Sequence, residues 1–130
     1  MKTIVADASA LVNYLLHSDN ASEVRAVVEH PENDVHVPAL CDIEVAAALR
    51  KALLAKRIPE AHVPAVTDAY FDLPVTRHGH ELLVPRILEL RHTFTAYDAA
   101  YVALAEALDG ELLTGDKALA RAARTHVRVA

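Results

Sequence analysis

Four acidic side chains stand in stretches of chain that carry no other charge. Asp7 ends the run Ile4-Val5-Ala6 and is followed by Ala8-Ser9-Ala10-Leu11-Val12; Glu44 is alone between Ile43 and Leu49, Asp98 between Thr95 and Ala105, and Asp116 follows Leu112-Leu113-Thr114-Gly115. A carboxylate buried among apolar residues has to be protonated, paired or bound to a cation. Only Asp116 has a basic neighbour in sequence, Lys117. Taken singly, each acid has a plain structural use. Asp7 and Asp116 can cap the helices that follow them, Thr95-Ala96-Tyr97-Asp98 fits a capping box, and Glu44 can face an arginine. Taken together, four carboxylates at one place repel one another unless a hard divalent cation lies among them. Mg²⁺ or Mn²⁺ takes oxygen ligands, one or two carboxylates directly and others through water. Such an ion acidifies a water and neutralises charge on a phosphodiester, chemistry that requires no serine or cysteine nucleophile.

The elements that must position these acids follow from the rest of the chain. Short apolar or β-branched runs occur at Thr3 to Ala6, Val35 to Val37, Pro74 to Thr76, Glu111 to Thr114 and Val127 to Val129. Between them, helical periodicity marks Ser9 to Leu16, Ala21 to Glu29, Ala39 to Ala55, Pro59 to Phe71, His80 to Arg91, Ala96 to Leu108 and Lys117 to Arg124. Strands alternating with helices predict a three-layer α/β/α fold on a mainly parallel, roughly five-stranded sheet. The 25 alanines and 17 leucines, against two phenylalanines and no tryptophan, suit helices packed closely on such a sheet. Pro38 and Pro59 stand where helices should begin, Gly110 where one should end, and His78-Gly79-His80 reads as a loop. Glu44 shares a helical face with Leu40, Ala47 and Ala48, a face expected to be buried. In an open parallel sheet the working site forms beyond the carboxyl ends of the strands, where strand order reverses. Three of the four acids fall just after a strand or in the first turn of a helix.

Composition narrows the function classes. At 130 residues and 53% apolar content the chain reads as one domain, residues 1–130. No uncharged stretch approaches the length of a bilayer span, and Asp7 breaks the N-terminal apolar run too early for a secretion signal. With a single cysteine, Cys41, these features lead us to expect a cytoplasmic protein. Thirteen basic against 18 acidic residues give a net charge of −5, so nucleic-acid binding has to rest on a local patch. Candidates are Arg50 with Lys51, Lys56 and Arg57, and Lys117 with Arg121 and Arg124, although solvated helix surface explains them equally well. Eight scattered histidines without a cysteine pair or HExxH motif read as surface residues. Cys41 reads as a buried hydrophobe. Tyr97 and Tyr101 flank Asp98, and core packing is favoured over base stacking for both. A phospho-aspartate phosphatase needs Asp-x-Asp after the first strand, where Asp7-Ala8-Ser9 stands. A receiver domain needs paired acids there and an aspartate after the third strand, where Thr76-Arg77-His78 stands.

The residues resemble a known family. Val5-Ala6-Asp7-Ala8-Ser9-Ala10-Leu11-Val12 resembles the opening motif of PIN-domain ribonucleases, and Glu44-Val45-Ala46-Ala47-Ala48-Leu49-Arg50 their glutamate-bearing helix. Asp98-Ala99-Ala100-Tyr101-Val102-Ala103-Leu104-Ala105 and Leu113-Thr114-Gly115-Asp116-Lys117-Ala118-Leu119 resemble the third and fourth acidic motifs. The likeness spans Ile4 to Ala123 and looks closest to the VapC toxins of bacterial toxin–antitoxin pairs. It implies an Mg²⁺- or Mn²⁺-dependent endoribonuclease with Asp7, Glu44, Asp98 and Asp116 as catalytic, metal-holding acids. Ser9 and Thr114 match small hydroxyl positions that orient acids or waters, and Asn13 faces the same groove. Arg50, Lys117 and Arg121 are the candidate RNA contacts. A VapB-like antitoxin and a homodimer are the implied protein partners. Apolar Val63, Val66, Tyr70, Leu83, Ile87 and Leu90 are expected to leave an excess patch for the dimer. A PIN-like binding module without activity is the alternative, and loss of an acid would mark it.

Overall fold

The computed structural model describes residues 2–130, and among them are five strands, all parallel, and seven α-helices. The strands are β1 (Lys2–Ala6), β2 (Asn33–Pro38), β3 (Val75–His78), β4 (Glu111–Leu113) and β5 (Arg128–Val129). The helices are α1 (Ala8–Leu15), α2 (Ala21–Val28), α3 (Cys41–Leu54), α4 (Val63–Asp72), α5 (Val84–Glu89), α6 (Ala96–Leu108) and α7 (Lys117–Ala123). Strand order is β3-β2-β1-β4-β5. The chain therefore moves outward from β1 through β2 to β3, then crosses back to β4 on the other side of β1. Right-handed crossovers place the helices of these two movements on opposite faces of the sheet. In agreement, α1 touches α2, α3 and α4, while α5 packs on α6 and α6 lies along β1, β2 and β4.

Burial on both faces explains why β1 is apolar at every central position: Ile4, Val5 and Ala6 are all buried. Residues 99–105 of α6 are buried without a break, and five of those seven are alanine or valine, small enough to let the helix lie against the strands. Helix α6 ends with Asp109 in the left-handed region (φ 50°), its N–H and that of Gly110 bonded back to Glu106 and Ala105 at 3.2 and 2.8 Å. The glycine expected at this helix end thus serves another need. A Cβ on Gly110 would lie 3.0 Å from the Thr3 carbonyl oxygen on β1.

Two expected helices are shorter than the apolar periodicity suggests. The stretch from Pro59 holds a 3-10 turn (Glu60–His62) before α4, and α5 starts only at Val84. Pro64 and Pro85 fall in the first turns of α4 and α5, where a missing N–H costs nothing; further along, each would break the ladder. Pro38 closes β2 and does not open a helix. The predicted third strand is displaced toward Arg77 and His78, whose pairing with Val37 and Pro38 extends it.

Candidate active site

The reversal of strand order between β1 and β4 opens a crevice at their carboxyl ends, and the four acids meet there. Asp7 follows β1 directly, and Asp116 follows β4 after Thr114-Gly115. Glu44 projects from the first turn of α3, which begins beyond β2. Asp98 lies in the first turn of α6.

Asp7 is only 5% exposed and is the N-cap of α1. Its Oδ1 accepts hydrogen bonds from Ser9 Oγ at 2.7 Å and the Ala10 N–H at 3.0 Å, and its Oδ2 accepts one from Thr114 Oγ1. The two hydroxyls also lace the strand ends together. Ser9 Oγ accepts from the Gly115 N–H at 3.0 Å and Thr114 Oγ1 from the Asp116 N–H at 3.0 Å. Asp7 is therefore both a cap and a site residue, held from three directions. Burial raises its pKa above the ordinary carboxylate range, those hydrogen bonds oppose the rise, and the nearby Asp116 adds to it.

Asp116 caps α7, its Oδ1 accepting from the Ala118 and Leu119 N–H groups at 2.9 and 3.1 Å. Its other oxygen accepts nothing from the described residues. The capping-box reading of Asp98 holds in one half only. The Asp98 N–H donates to Thr95 Oγ1 at 3.1 Å, whereas its carboxylate makes no return bond among the described residues and faces the crevice acids. Burial raises the Asp98 pKa, with Asp116 and Asp7 adding to it.

Glu44 meets no arginine. Its Oε1 accepts a 2.6 Å hydrogen bond from the buried Tyr101 hydroxyl on α6. Burial raises its pKa; the Tyr101 bond opposes this, and Asp7 and Asp98 push it further upward. The face predicted for Glu44 is not the buried one. Ala47 is exposed and α3 buries Cys41, Val45, Leu49 and Ala52, leaving Glu44 half-buried at the boundary of core and crevice. Helix α3 is anchored at its start from β3 and the loop after it. The Ala39 N–H donates to the His78 carbonyl at 2.8 Å, and the Leu40 N–H to His80 Nε2 at 3.0 Å.

Asp7 and Asp98 thus lie in electrostatic range of each other and of both Glu44 and Asp116, and no Lys, Arg or His of the described residues forms an ion pair with any of the four. That uncompensated negative charge is what a hard divalent cation fits. As the side chains stand, no three acid, histidine or cysteine groups among the described residues can share one ion. Ligation by one or two carboxylates, with water completing the shell, is the arrangement the crevice allows.

Asn13 lies one turn beyond Ser9 on α1, with its Nδ2 donating to Asn20 Oδ1 at 2.8 Å. It explains Gly115. A Cβ there would come within 2.7 Å of Asn13 Nδ2 and 3.3 Å of Ser9 Oγ. Beside Asp116, a cleft of about 560 Å³ is lined by Asn13, Asn20, Lys117 and Arg124, among others. Lys117 therefore borders the site. Arg121 is exposed further along α7. Arg50 is also exposed, but six residues after Glu44 it lies about 9 Å down the helix axis on another face, so the structure does not bring it to the acids.

Sequence reasoning missed the site role of Tyr101, for which core packing is favoured over base stacking. It is core, and its hydroxyl also holds Glu44; the usable signal was that a buried tyrosine hydroxyl needs a partner. Tyr97 is not core but 65% exposed. Cys41 is buried as expected, and burial raises its thiol pKa. Three histidines are not free surface residues. His36 bridges Asp34 and His78, at 2.8 Å to each, and His80 accepts from Leu40 as described.

An all-parallel five-stranded sheet between two layers of helices, with acids gathered at its switch point, defines a three-layer α/β/α protein with its candidate site at the carboxyl edge of the sheet. The chain belongs to the PIN domain family, whose model matches residues 4–125. It is 42% identical over 127 residues to Ribonuclease VapC1 of Mycobacterium tuberculosis, with 94% of this chain and 92% of that protein covered. Among solved structures it is similar to VapBC2 from Rickettsia felis bound to a promoter DNA fragment (TM-score 0.71, 12% identity, 98% and 97% covered). It is also similar to VapC20 of M. tuberculosis, described as a Sarcin-Ricin loop cleaving toxin (TM-score 0.66, 15% identity, 92% and 94% covered).

Proposed function

We propose that the chain, as a single domain of residues 1–130, is a divalent-metal-dependent endoribonuclease that acts as the toxin of a toxin–antitoxin pair. The observation that carries this reading is the convergence of Asp7, Glu44, Asp98 and Asp116, without any basic partner, at the strand-order reversal. The 42% identity to a protein named a VapC ribonuclease supports it. Mg²⁺ or Mn²⁺ held by these four acids, some through water, would supply an acidified water and charge neutralisation at the scissile phosphate.

The chain's own residues supply geometry. Ser9, Thr114 and the Ala10 N–H fix both oxygens of Asp7. Tyr101 fixes one oxygen of Glu44, and the other has no hydrogen bond from the described residues. The start of α7 holds one oxygen of Asp116 in the same way. Lys117, which borders the cleft beside Asp116, and Arg121, one turn further along α7, are the proposed contacts to RNA phosphates, with Arg50 a more distant one.

A VapB-like antitoxin is the proposed protein partner, and the cytoplasm, where RNA is the substrate, is the proposed site of action. Among the described residues no helix is long and apolar enough to cross a membrane. A homodimer is also part of the proposal, on a changed basis. Tyr70, Leu83 and Leu90 of the expected patch are buried, and Val63, Val66 and Ile87 half-buried; all of these but Val63 pack in or against this chain's own core. Exposed apolar side chains in the same region are instead Leu82, Val84 and Leu88, at and before α5, Leu82 being 91% exposed, and they are the proposed dimer contacts.

The direct test is Asp7→Asn. Cleavage of a synthetic RNA in Mg²⁺ is expected to fall at least about 100-fold, with the circular dichroism spectrum unchanged. A fully active variant would overturn the catalytic assignment.

A further inference from the structure

The two helices whose first turns bring acids to the crevice, α3 and α6, share a feature that the four-acid chemistry does not use. Each presents a large, exposed apolar side chain one residue before its acid: Ile43, 73% exposed, before Glu44, and Tyr97, 65% exposed, before Asp98. Successive residues on a helix are about 100° apart. The residues about 100° to one side of the two acids, Val45 and Ala99, are buried, so Ile43 and Tyr97, about 100° to the other side, lie on the solvent side of the acids, beside the crevice. The Tyr97 ring has no aromatic partner, no hydrogen bond and no place in the core or its fringe among the described residues. Tyr101, one turn later, is buried. The contrast is local: the same helix turns one tyrosine into the core and leaves the other bare beside the acids.

We propose that Tyr97 is a stacking platform for an unpaired nucleobase of the RNA substrate, next to the phosphate held at the acids. This rests on the endoribonuclease reading above. An aromatic face stacks on any base, and RNA recognition outside duplexes works by splaying single-stranded bases onto such faces. The net charge of −5 strengthens the case, because general attraction to the phosphate backbone is weak and binding energy has to come from local contacts. A lone ring beside a polar, acid-lined crevice also suits a flat base better than it suits a protein helix, which buries a continuous apolar stripe.

The test uses the full chain carrying Asp7→Asn, which binds without cutting, and short single-stranded RNAs with 2-aminopurine at successive positions. Binding is expected to quench the probe at one position. Tyr97→Ala should abolish that quench and weaken binding roughly tenfold, as loss of one stacked base implies, while Tyr97→Phe and Tyr97→Trp keep both. Phe71→Ala, removing an exposed aromatic on α4, should change neither. Unchanged binding and quenching in Tyr97→Ala, with RNA still bound by the parent, would overturn the stacking role and leave the nuclease reading intact. Loss of antitoxin binding without loss of RNA binding would make Tyr97 a protein contact and overturn the role too. Failure of the parent to bind any RNA would defeat both readings.

Discussion

Asp7 is the residue on which stability and function pull in opposite directions. It is nearly excluded from solvent, beside other carboxylates, and its pKa is raised in the folded state by burial first and Asp116 last. Between the unfolded value of 3.8 and the raised folded value, the folded protein binds more protons at this group than the unfolded chain does. Stability from this group is then present at low pH and lost as pH rises through that window. Without metal, lowering the pH from 7 toward the unfolded value of 3.8 should raise the melting temperature relative to Asp7→Asn, which lacks this titration. His78 works against the trend, since burial and His36 lower its pKa, and comparison with Asp7→Asn removes that contribution. The same slope in both proteins, measured by scanning calorimetry in EDTA, would show that Asp7 carries no such strain. The acids themselves were legible in the sequence because each is a charge alone in an apolar run. Tyr101 was not, because a tyrosine in an apolar helix looks like core until the position of its hydroxyl is known.

At the scale of elements, the crevice depends on how tightly the β4–α7 turn fits against α1. Gly115 has an ordinary negative φ, so space and not backbone freedom demands it. Gly115→Ala pushes a methyl against Asn13 Nδ2, which is itself bonded to Asn20, and against Ser9 Oγ, which accepts from the Gly115 N–H. The expected result is a loss of about 1–3 kcal/mol by denaturant unfolding, as for other overpacked sites. RNA cleavage should fall more than that instability explains, because the turn carries Asp116. Wild-type stability and activity would mean that the turn yields freely. The order of strands and helices was readable because a parallel sheet covered on both faces leaves unbroken apolar runs in its central strands. The edges were not: Arg77 and His78 join β3 only through pairing with β2, and Pro64 and Pro85 reset helix starts that apolar periodicity alone placed earlier.

For the whole molecule, the question is which surface remains to be covered. The face formed by Leu82, Val84 and Leu88 is exposed in the isolated chain, and two-fold pairing would bury it in both copies. Leu88→Glu should convert a dimer to a monomer in multi-angle light scattering at micromolar concentration, while secondary structure stays the same. A wild-type monomer under those conditions would remove the dimer from the account. The sequence pattern assigned the excess apolar surface to Val63, Val66, Tyr70, Leu83, Ile87 and Leu90, none of which is among the exposed large apolar residues of the folded chain. Helical periodicity shows which side chains share a face, and only the packed sheet shows which face is turned inward.

The central claim is that four acids and a divalent ion direct water onto a phosphodiester of RNA, and the chemistry of the cut ends tests it most directly. Water attacking phosphorus expels the ribose 3′-oxygen, which takes up a proton, and leaves a 5′-phosphate on one fragment and a 3′-hydroxyl on the other. Attack by the neighbouring 2′-hydroxyl instead leaves a 2′,3′-cyclic phosphate and a 5′-hydroxyl. Mass spectrometry of the products formed by wild-type protein in Mg²⁺, with Asp7→Asn prepared in parallel, should show 5′-phosphate and 3′-hydroxyl ends that are absent with the variant and in EDTA. Cyclic phosphate ends, or cleavage that persists in EDTA, would contradict the account.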